Sequence, residues 1–234
     1  MNKISLVTGG SSGLGYEIAK CLLEKGYNVC ISSRSDSKLN NAASQLSTTS
    51  GLGQLHKCIA NVGNESDVRK LFHFITEHGF EIDMVFNAAG MGLFGNPESV
   101  TEEMIDRVLE ANLVGTILVS SYALRVMKGT VGIIVNIMST AAHSGKAQES
   151  VYCAAKWGAR GYTEAIQAEI KGTSIKVIAV YPGGMNTPFW TEDCGLSPDI
   201  SKFMNPYDVA RTIVDAATKK DSSTISEIII RSSL

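Results

Sequence analysis

The chain has no surplus of basic charge, no cysteine pair at redox or metal spacing and no long apolar run, and each absence removes a class of protein. Its 21 Lys and Arg stand against 23 Asp and Glu, a formal net charge of −2. Nucleic-acid binding needs cations that displace counterions from phosphates, so no nucleic-acid partner is expected. The five cysteines, Cys21, Cys30, Cys58, Cys153 and Cys194, are odd in number and scattered. That is the pattern of reduced thiols in a cytoplasmic protein rather than of a disulfide framework. His56, His73, His78 and His143 share no ligand spacing with Cys or acidic residues, so no metal is expected. The apolar stretch after Met1-Asn2-Lys3 is too short for a signal-peptide core, and no run approaches a membrane span. No membrane partner is expected either.

What is present is a chain of 234 residues, 44% hydrophobic and 19% charged, enough to bury one substantial core. Short apolar segments rich in β-branched residues recur at Ile4 to Val7, Asn28 to Ile31, Met84 to Phe86, Val131 to Ile137, Ile175 to Tyr181 and Ile225 to Ile230. Most are too apolar for a half-exposed sheet and suit strands buried on both faces. Segments of helical periodicity lie between them and stop at Lys25-Gly26, His78-Gly79, Lys128-Gly129 and Lys171-Gly172, a cation in the last turn followed by a left-handed glycine. Ser99-Val100-Thr101-Glu102 has the spacing of a capping box. The Ser-rich patch from Ser44 to Ser50 reads as a helix end and loop. Alternation of strand and helix predicts one domain, residues 1–234, with a parallel sheet covered by helices on both faces.

A glycine-rich turn, Thr8-Gly9-Gly10-Ser11-Ser12-Gly13-Leu14-Gly15, follows the first strand and opens a helix that runs to about Lys25. Amides at such a helix start bind a pyrophosphate, and glycine lets the phosphates approach closely. A tight turn without a ligand is the alternative. The second strand ends in Ile31-Ser32-Ser33-Arg34, where sites for NAD usually carry a carboxylate on the ribose hydroxyls. Arg34 would instead bond a 2′-phosphate, which favours NADP over NAD; a solvated surface arginine is the other reading.

Tyr152 and Lys156 are spaced i, i+4, which on a helix puts them on one face, and Ser139 ends the strand at 131–137. An unperturbed tyrosine has a pKa near 10, so a neighbouring cation is needed to favour its phenolate. A serine hydroxyl at the same place holds a substrate oxygen and orients its carbon. Tyr and Lys at this spacing also occur on ordinary helix surfaces, and Ser139 could merely cap a loop.

Thr8 to Gly15, Asn87-Ala88-Ala89-Gly90, Asn112, Ser139, Tyr152 to Lys156 and Pro182-Gly183 follow one another in the order of the short-chain dehydrogenase/reductase family, which the chain resembles over nearly its whole length. The resemblance implies a single-domain Rossmann fold, a doubly wound parallel sheet of about seven strands. It implies Tyr152 as proton donor or acceptor, Lys156 as its pKa modifier and ribose ligand, Ser139 as partner of the carbonyl oxygen, and Asn112 completing a tetrad through a water that links the lysine to solvent. Cofactor contacts are implied at Gly9, Ser11, Ser12, Gly13, Leu14, Gly15, Ser33, Arg34, Asn61, Val62, Asn87 to Gly90, Pro182, Gly183, Met185 and Thr187. Two departures stand out. Asn61-Val62 replaces an Asp that many members place on the adenine, and after Tyr207 only one helix and one short strand remain, so no C-terminal extension is expected to close the site.

The activity so implied is an NADP(H)-dependent carbonyl reductase or alcohol dehydrogenase. An NAD-linked alcohol dehydrogenase and a non-catalytic NADP(H)-sensing protein are the alternatives. Residues 187–205 mix Phe189, Trp190, Leu196, Ile200, Phe203 and Met204 with Glu192, Asp193 and Asp199, the make-up of a substrate lid. Met91, Leu93, Phe94, His143 and Gln148 are candidates for the other walls. The small residues Ala154, Ala155, Gly158, Ala159 and Gly161 on helix 151–171 permit close helix approach, and the resemblance implies a homodimer or homotetramer through this helix and the one holding Asn112.

Overall fold

The computed structural model describes residues 2–48, 53–190, 194–219 and 223–233. Seven strands, β1 (Asn2–Thr8), β2 (Val29–Ser33), β3 (Leu55–Ile59), β4 (Phe80–Asn87), β5 (Gly132–Ile137), β6 (Ile175–Pro182) and β7 (Glu227–Ile230), form one parallel sheet in the order β3-β2-β1-β4-β5-β6-β7. Helices α1 (Gly13–Glu24), α2 (Asp36–Leu46), α3 (Glu65–Glu77), α4 (Glu102–Leu109), α5 (Gly115–Val126), α6 (Ser150–Glu169) and α7 (Pro206–Ala217) make the crossovers.

The sheet is buried on both sides because its strands carry apolar residues on both. Leu14, Ile18 and Leu22 of α1, Leu39 of α2 and Ile213 of α7 pack on Val7, Ile31, Phe86 and Val135. On the other face Leu71 and Ile75 of α3, Val119 of α5 and Ile166 of α6 meet Leu6, Val85, Ile134 and Val177. This is the doubly wound arrangement that the alternation of elements predicts.

The glycines expected to stop helices do so: Gly26, Gly79, Gly129 and Gly172 all have positive φ, between 78° and 84°. Elsewhere the local signals need correcting. The N-cap of α4 is Thr101, whose hydroxyl accepts from Met104 N at 3.2 Å, while Ser99 ends a short 3-10 turn that begins at Pro97. β4 begins at Phe80, not Met84, because Glu81 and Asp83 occupy half-buried positions between Phe80, Ile82 and Met84. β3 escapes an apolar-run reading since His56, Lys57 and Cys58 make a half-exposed edge strand. Of the Ser-rich patch, α2 ends at Leu46; residues 49 and 50 lie outside the described residues, as do Glu192 and Asp193 of the expected lid.

Candidate active site

The strand order reverses between β1 and β4, and a cleft of about 700 Å³ opens at the carboxyl ends of the strands there. Register aligns its floor: Thr8 pairs with Asn87, and Asn87 with Asn136. Thr8 Oγ1 accepts from Ala89 N at 3.3 Å and so ties the two chain ends that flank the crevice.

At the β1–α1 turn the glycines do different things. A Cβ on Gly9, at φ +67°, would lie 2.8 Å from the Ala89 backbone, and one on Gly15 would run into the Gly9 carbonyl oxygen. Both are therefore demanded by close packing of the chain on itself. Gly13 alone faces across the cleft, toward Thr187. Ser12 precedes α1 with no side-chain cap and no acidic residue follows in the first turn, so the positive end of the helix is left open to the cleft. A pyrophosphate fits such a cradle.

Beyond that turn the cleft passes Ser33, Arg34 and Lys38. Arg34 is exposed and has no ion pair or hydrogen bond among the described residues, and Lys38, in the first turn of α2, has its ammonium equally unpaired among them. Among the described residues no carboxylate lines this end. Asn61 borders the cleft, but its amide is already engaged, donating to Glu110 Oε1 at 3.2 Å and accepting from Gly63 N at 3.2 Å.

The opposite end holds the reactive side chains. Ser139 follows β5 with extended backbone and opens a 3-10 turn, its Oγ accepting from Ala141 N at 3.1 Å. That contact leaves the hydroxyl hydrogen free to donate toward the neighbouring Tyr152 phenol. Tyr152 and Lys156, 8% and 4% exposed, come from the first two turns of α6. Lys156 Nζ donates to Ile137 O at 3.2 Å and stands 5.6 Å from the Tyr152 ring centre. Burial pushes the Tyr152 phenol above its ordinary range, with the Ser139 hydrogen bond opposing. Burial pulls the Lys156 ammonium down to about 8. Phe94 meets the Tyr152 ring edge-on at 5.5 Å and Phe189 lies 5.8 Å away, so the phenol is walled by aromatics.

Asn112 sits in a single π-helical turn, Glu110–Val114, between α4 and α5, and is fully buried. Its Nδ2 donates to Met91 O at 2.8 Å and Val108 O at 2.9 Å, and its Oδ1 accepts from Met91 N at 3.3 Å. The side chain thus pins the loop after β4. Gly90 beneath it admits no Cβ, which would come 2.7 Å from Asn112 Oδ1.

A model of the family described as short chain dehydrogenase matches residues 3–194. The chain belongs to that family. Among its relatives, an uncharacterized oxidoreductase of Staphylococcus epidermidis is 29% identical over 230 residues, 98% of this chain and 96% of the relative. A crystal structure of a short-chain dehydrogenase/reductase from Vibrio parahaemolyticus is 34% identical and superimposes with a TM-score of 0.83, covering 97% of this chain and 99% of that one. An actinorhodin polyketide ketoreductase solved with NADPH is 26% identical, with a TM-score of 0.88 over 99% of this chain and 96% of that one. This short chain dehydrogenase is accordingly an oxidoreductase with the Rossmann-like fold of those structures.

Most of the residues expected at the site do line the cleft, from Gly9 and Ser11 to Gly15 through Ser33, Arg34, Asn61, Val62, Ala88 to Gly90, Asn112, Ser139, Tyr152, Lys156, Pro182, Gly183, Met185 and Thr187. Asn87 does not. Its amide turns into the core, donating to Ser120 Oγ at 3.0 Å and Asn136 Oδ1 at 2.8 Å, so it braces β4 against β5 and α5 instead of meeting a cofactor. Phe94, His143 and Gln148 also stand back from the cleft. His143 Nδ1 takes a hydrogen bond from Arg160 at 2.9 Å, and Gln148 donates to Asn96 Oδ1. Sequence reasoning missed Lys38, Arg107, Lys146 and Glu149, which line the cleft. Lys38 had a signal, its place in the first turn of the helix that follows Arg34; the others follow from tertiary folding alone.

Proposed function

We propose that this dehydrogenase is an NADP(H)-dependent carbonyl reductase, reversible in principle, acting on a small or medium ketone, aldehyde or secondary alcohol. The observation that carries the reading is one continuous cleft with an unpaired Arg34 and Lys38 at one end and Ser139, Tyr152 and Lys156 converging at the other. Cationic side chains without a carboxylate suit a 2′-phosphate, to which each charge-assisted bond contributes about 1.5–3 kcal/mol. The open start of α1 would hold the pyrophosphate, and Thr187, Pro182 and Met185 the nicotinamide side. When bound, the cofactor supplies or accepts the hydride.

The chain's own residues then handle the oxygen and its proton. Ser139 donates a hydrogen bond to the carbonyl oxygen, polarising it and fixing its place. Tyr152, held protonated by burial, gives its proton to that oxygen as negative charge develops. Lys156, still mostly charged below about pH 8, stabilises the phenolate that remains. The aromatic wall of Phe94 and Phe189 keeps water from the phenol.

Residues 1–234 act as one catalytic domain in this reading, with 187–205 covering the substrate; Phe189, Trp190, Leu196 and Phe203 from that segment line the cleft. The composition favours the cytoplasm. Oligomerisation through α6 is favoured by an exposed stripe of Ala154, Trp157, Gly161, Ala165 and Ala168.

The test is a panel of ketones and aldehydes followed by NADPH absorbance, with NADP and NAD affinities measured for the wild type and Arg34→Ala. NADPH consumption and a loss of about ten- to a hundredfold for NADP alone are expected. Equal loss for both cofactors would remove the argument from Arg34, and cofactor binding without turnover of any carbonyl or alcohol would favour a sensor.

A further inference from the structure

The cleft is lined by five cationic side chains, Arg34, Lys38, Arg107, Lys146 and Lys156, and by a single carboxylate among the described residues, Glu149. Glu149 is only 8% exposed. It occupies the N-cap position of α6, yet its side chain caps nothing. Among the described residues its carboxylate has neither a hydrogen bond nor an ion pair; Lys146, three residues back and exposed, acts on it only through its charge, without an ion-pair contact. Its oxygens are not sealed off but reach the cleft, so a substrate that fills the cleft displaces the water there and leaves the carboxylate costly unless it supplies a donor. The dipole of the twenty-residue α6 tolerates the charge without satisfying its hydrogen-bonding capacity.

Where the group stands is informative. Glu149 precedes Tyr152 by three residues at the start of the same helix, a spacing that brings side chains to about 5–6 Å at Cβ. Its charge is felt at the Tyr152 phenol, which it helps to keep protonated. Burial in turn raises the Glu149 carboxyl itself, with the Lys146 charge opposing. Leu93, Phe189, Trp190 and Leu196 give this end of the cleft a largely apolar wall, with Ser139, Thr187 and the exposed Lys146 as its other polar residues. A largely apolar chamber with one carboxylate beside the proton-donating phenol suits an apolar body that carries one donor.

We infer that Glu149 selects the substrate: its carboxylate accepts a hydrogen bond from a hydroxyl or ammonium carried on the carbon next to the reacting one. The inference rests on the carbonyl-reductase reading above. Preferred substrates are then apolar or aryl hydroxyketones and aminoketones, with the corresponding diols and amino alcohols in the reverse direction. An unsubstituted ketone of the same shape leaves the carboxylate buried and unpaired, which is what discriminates against it.

The experiment uses three ketones of nearly equal size, propiophenone, α-hydroxyacetophenone and α-aminoacetophenone, with NADPH and the full chain. For each variant the ratio of kcat/KM to that of propiophenone is read, so that partial unfolding cancels. The wild type should favour at least one donor-bearing ketone by about ten- to a hundredfold, the size of one charge-assisted hydrogen bond. Glu149→Leu should bring that ratio to about one. Glu149→Gln, whose amide oxygen still accepts, should keep part of the preference for the hydroxyl and lose that for the ammonium. Binding of the product alcohols, 1-phenyl-1-propanol against 1-phenyl-1,2-ethanediol and 2-amino-1-phenylethanol, is followed in parallel through quenching of Trp190. If no ketone is turned over but the alcohols bind in this order and Glu149→Leu abolishes it, the reductase reading fails and Glu149 keeps its role. A wild-type ratio near one, or one that Glu149→Leu leaves in place, in turnover and in binding, overturns the inference.

Discussion

Burial acts in opposite directions on Tyr152 and Lys156, driving each toward its neutral form. For the phenol that is an asset in reduction, because a proton donor must arrive at the carbonyl still carrying its proton. Tyr152→Phe keeps the ring between Phe94 and Phe189 and removes only the hydroxyl. Turnover is expected to fall by about 10²–10⁴, the usual size of a general acid–base contribution, with NADPH affinity retained by direct titration. Unchanged turnover would reject the role. For the ammonium, burial is a cost. In the unfolded chain Lys156 titrates near 10.4, whereas in the folded protein it does so at about 8. Between those values the unfolded state binds more protons, so stability rises with pH across that window; below about 8 the full penalty, on the order of 3 kcal/mol, is present. Lys156→Met removes the charge and leaves Ile137 O without its donor, a loss that does not depend on pH. The Met variant should therefore gain most over wild type near pH 7, the difference shrinking as pH climbs from 8 to 10. Urea unfolding at four pH values in that range measures it, and a flat difference would contradict a depressed Lys156. Tyr152, raised rather than lowered, contributes its own dependence only above about pH 10.

Elements carry the site through the places where their ends touch. The β1–α1 turn lies against the loop after β4 so closely that Gly9 has no room for a methyl group, its Cβ position being 2.8 Å from backbone atoms of Ala89. Its φ of +67° adds a second penalty for any other residue. Gly9→Ala should cost about 2–4 kcal/mol, the left-handed strain plus the shift needed to relieve the clash. Thermal unfolding reads the loss, and a Tm within a degree of wild type would show that the two turns are less tightly coupled. This turn was legible in the sequence because strand, glycines and helix follow one another within a few residues. Helix ends marked by a cation and a glycine were legible for the same reason. What was not legible depends on partners far away in the chain. Asn87 reads like its neighbours Ala88 to Gly90, yet pleating turns its side chain to Ser120 and Asn136 and away from the cleft. His143 looks like a pocket residue until Arg160, on α6, claims its ring. β3 has too little apolar periodicity to announce itself, being an edge strand in which His56, Lys57 and Cys58 interrupt Leu55 and Ile59.

At the scale of the whole molecule, a chain of net charge −2 concentrates five cations along one cleft, where Glu149 is the one carboxylate among the described residues. The remaining feature at this scale is α6, which serves the interior with one face and leaves another bare. Three of the small residues noted in the sequence belong to the interior: Ala155 and Ala159 are buried, and Gly158 packs on Leu113. Ala154 and Gly161 do not. With Ala165 and Ala168 they form a shallow stripe at helical spacing, from which Trp157 projects, 48% exposed and touched within the chain by Arg160 at 5.9 Å. A large aromatic beside small residues suits a second copy of the helix, which would bury the indole against the partner's stripe. Trp157→Glu should leave the monomer fold intact, since the side chain contributes little to the core. At the interface it replaces an aromatic anchor by a charge facing its own symmetry mate, a cost of about 2–4 kcal/mol and hence roughly thirty- to a thousandfold in the dissociation constant. Light scattering at micromolar concentration should show the wild type as a dimer or tetramer and the variant at lower mass, with an unchanged circular dichroism spectrum. Equal masses for the two proteins would mean that the stripe on α6 is simply solvated.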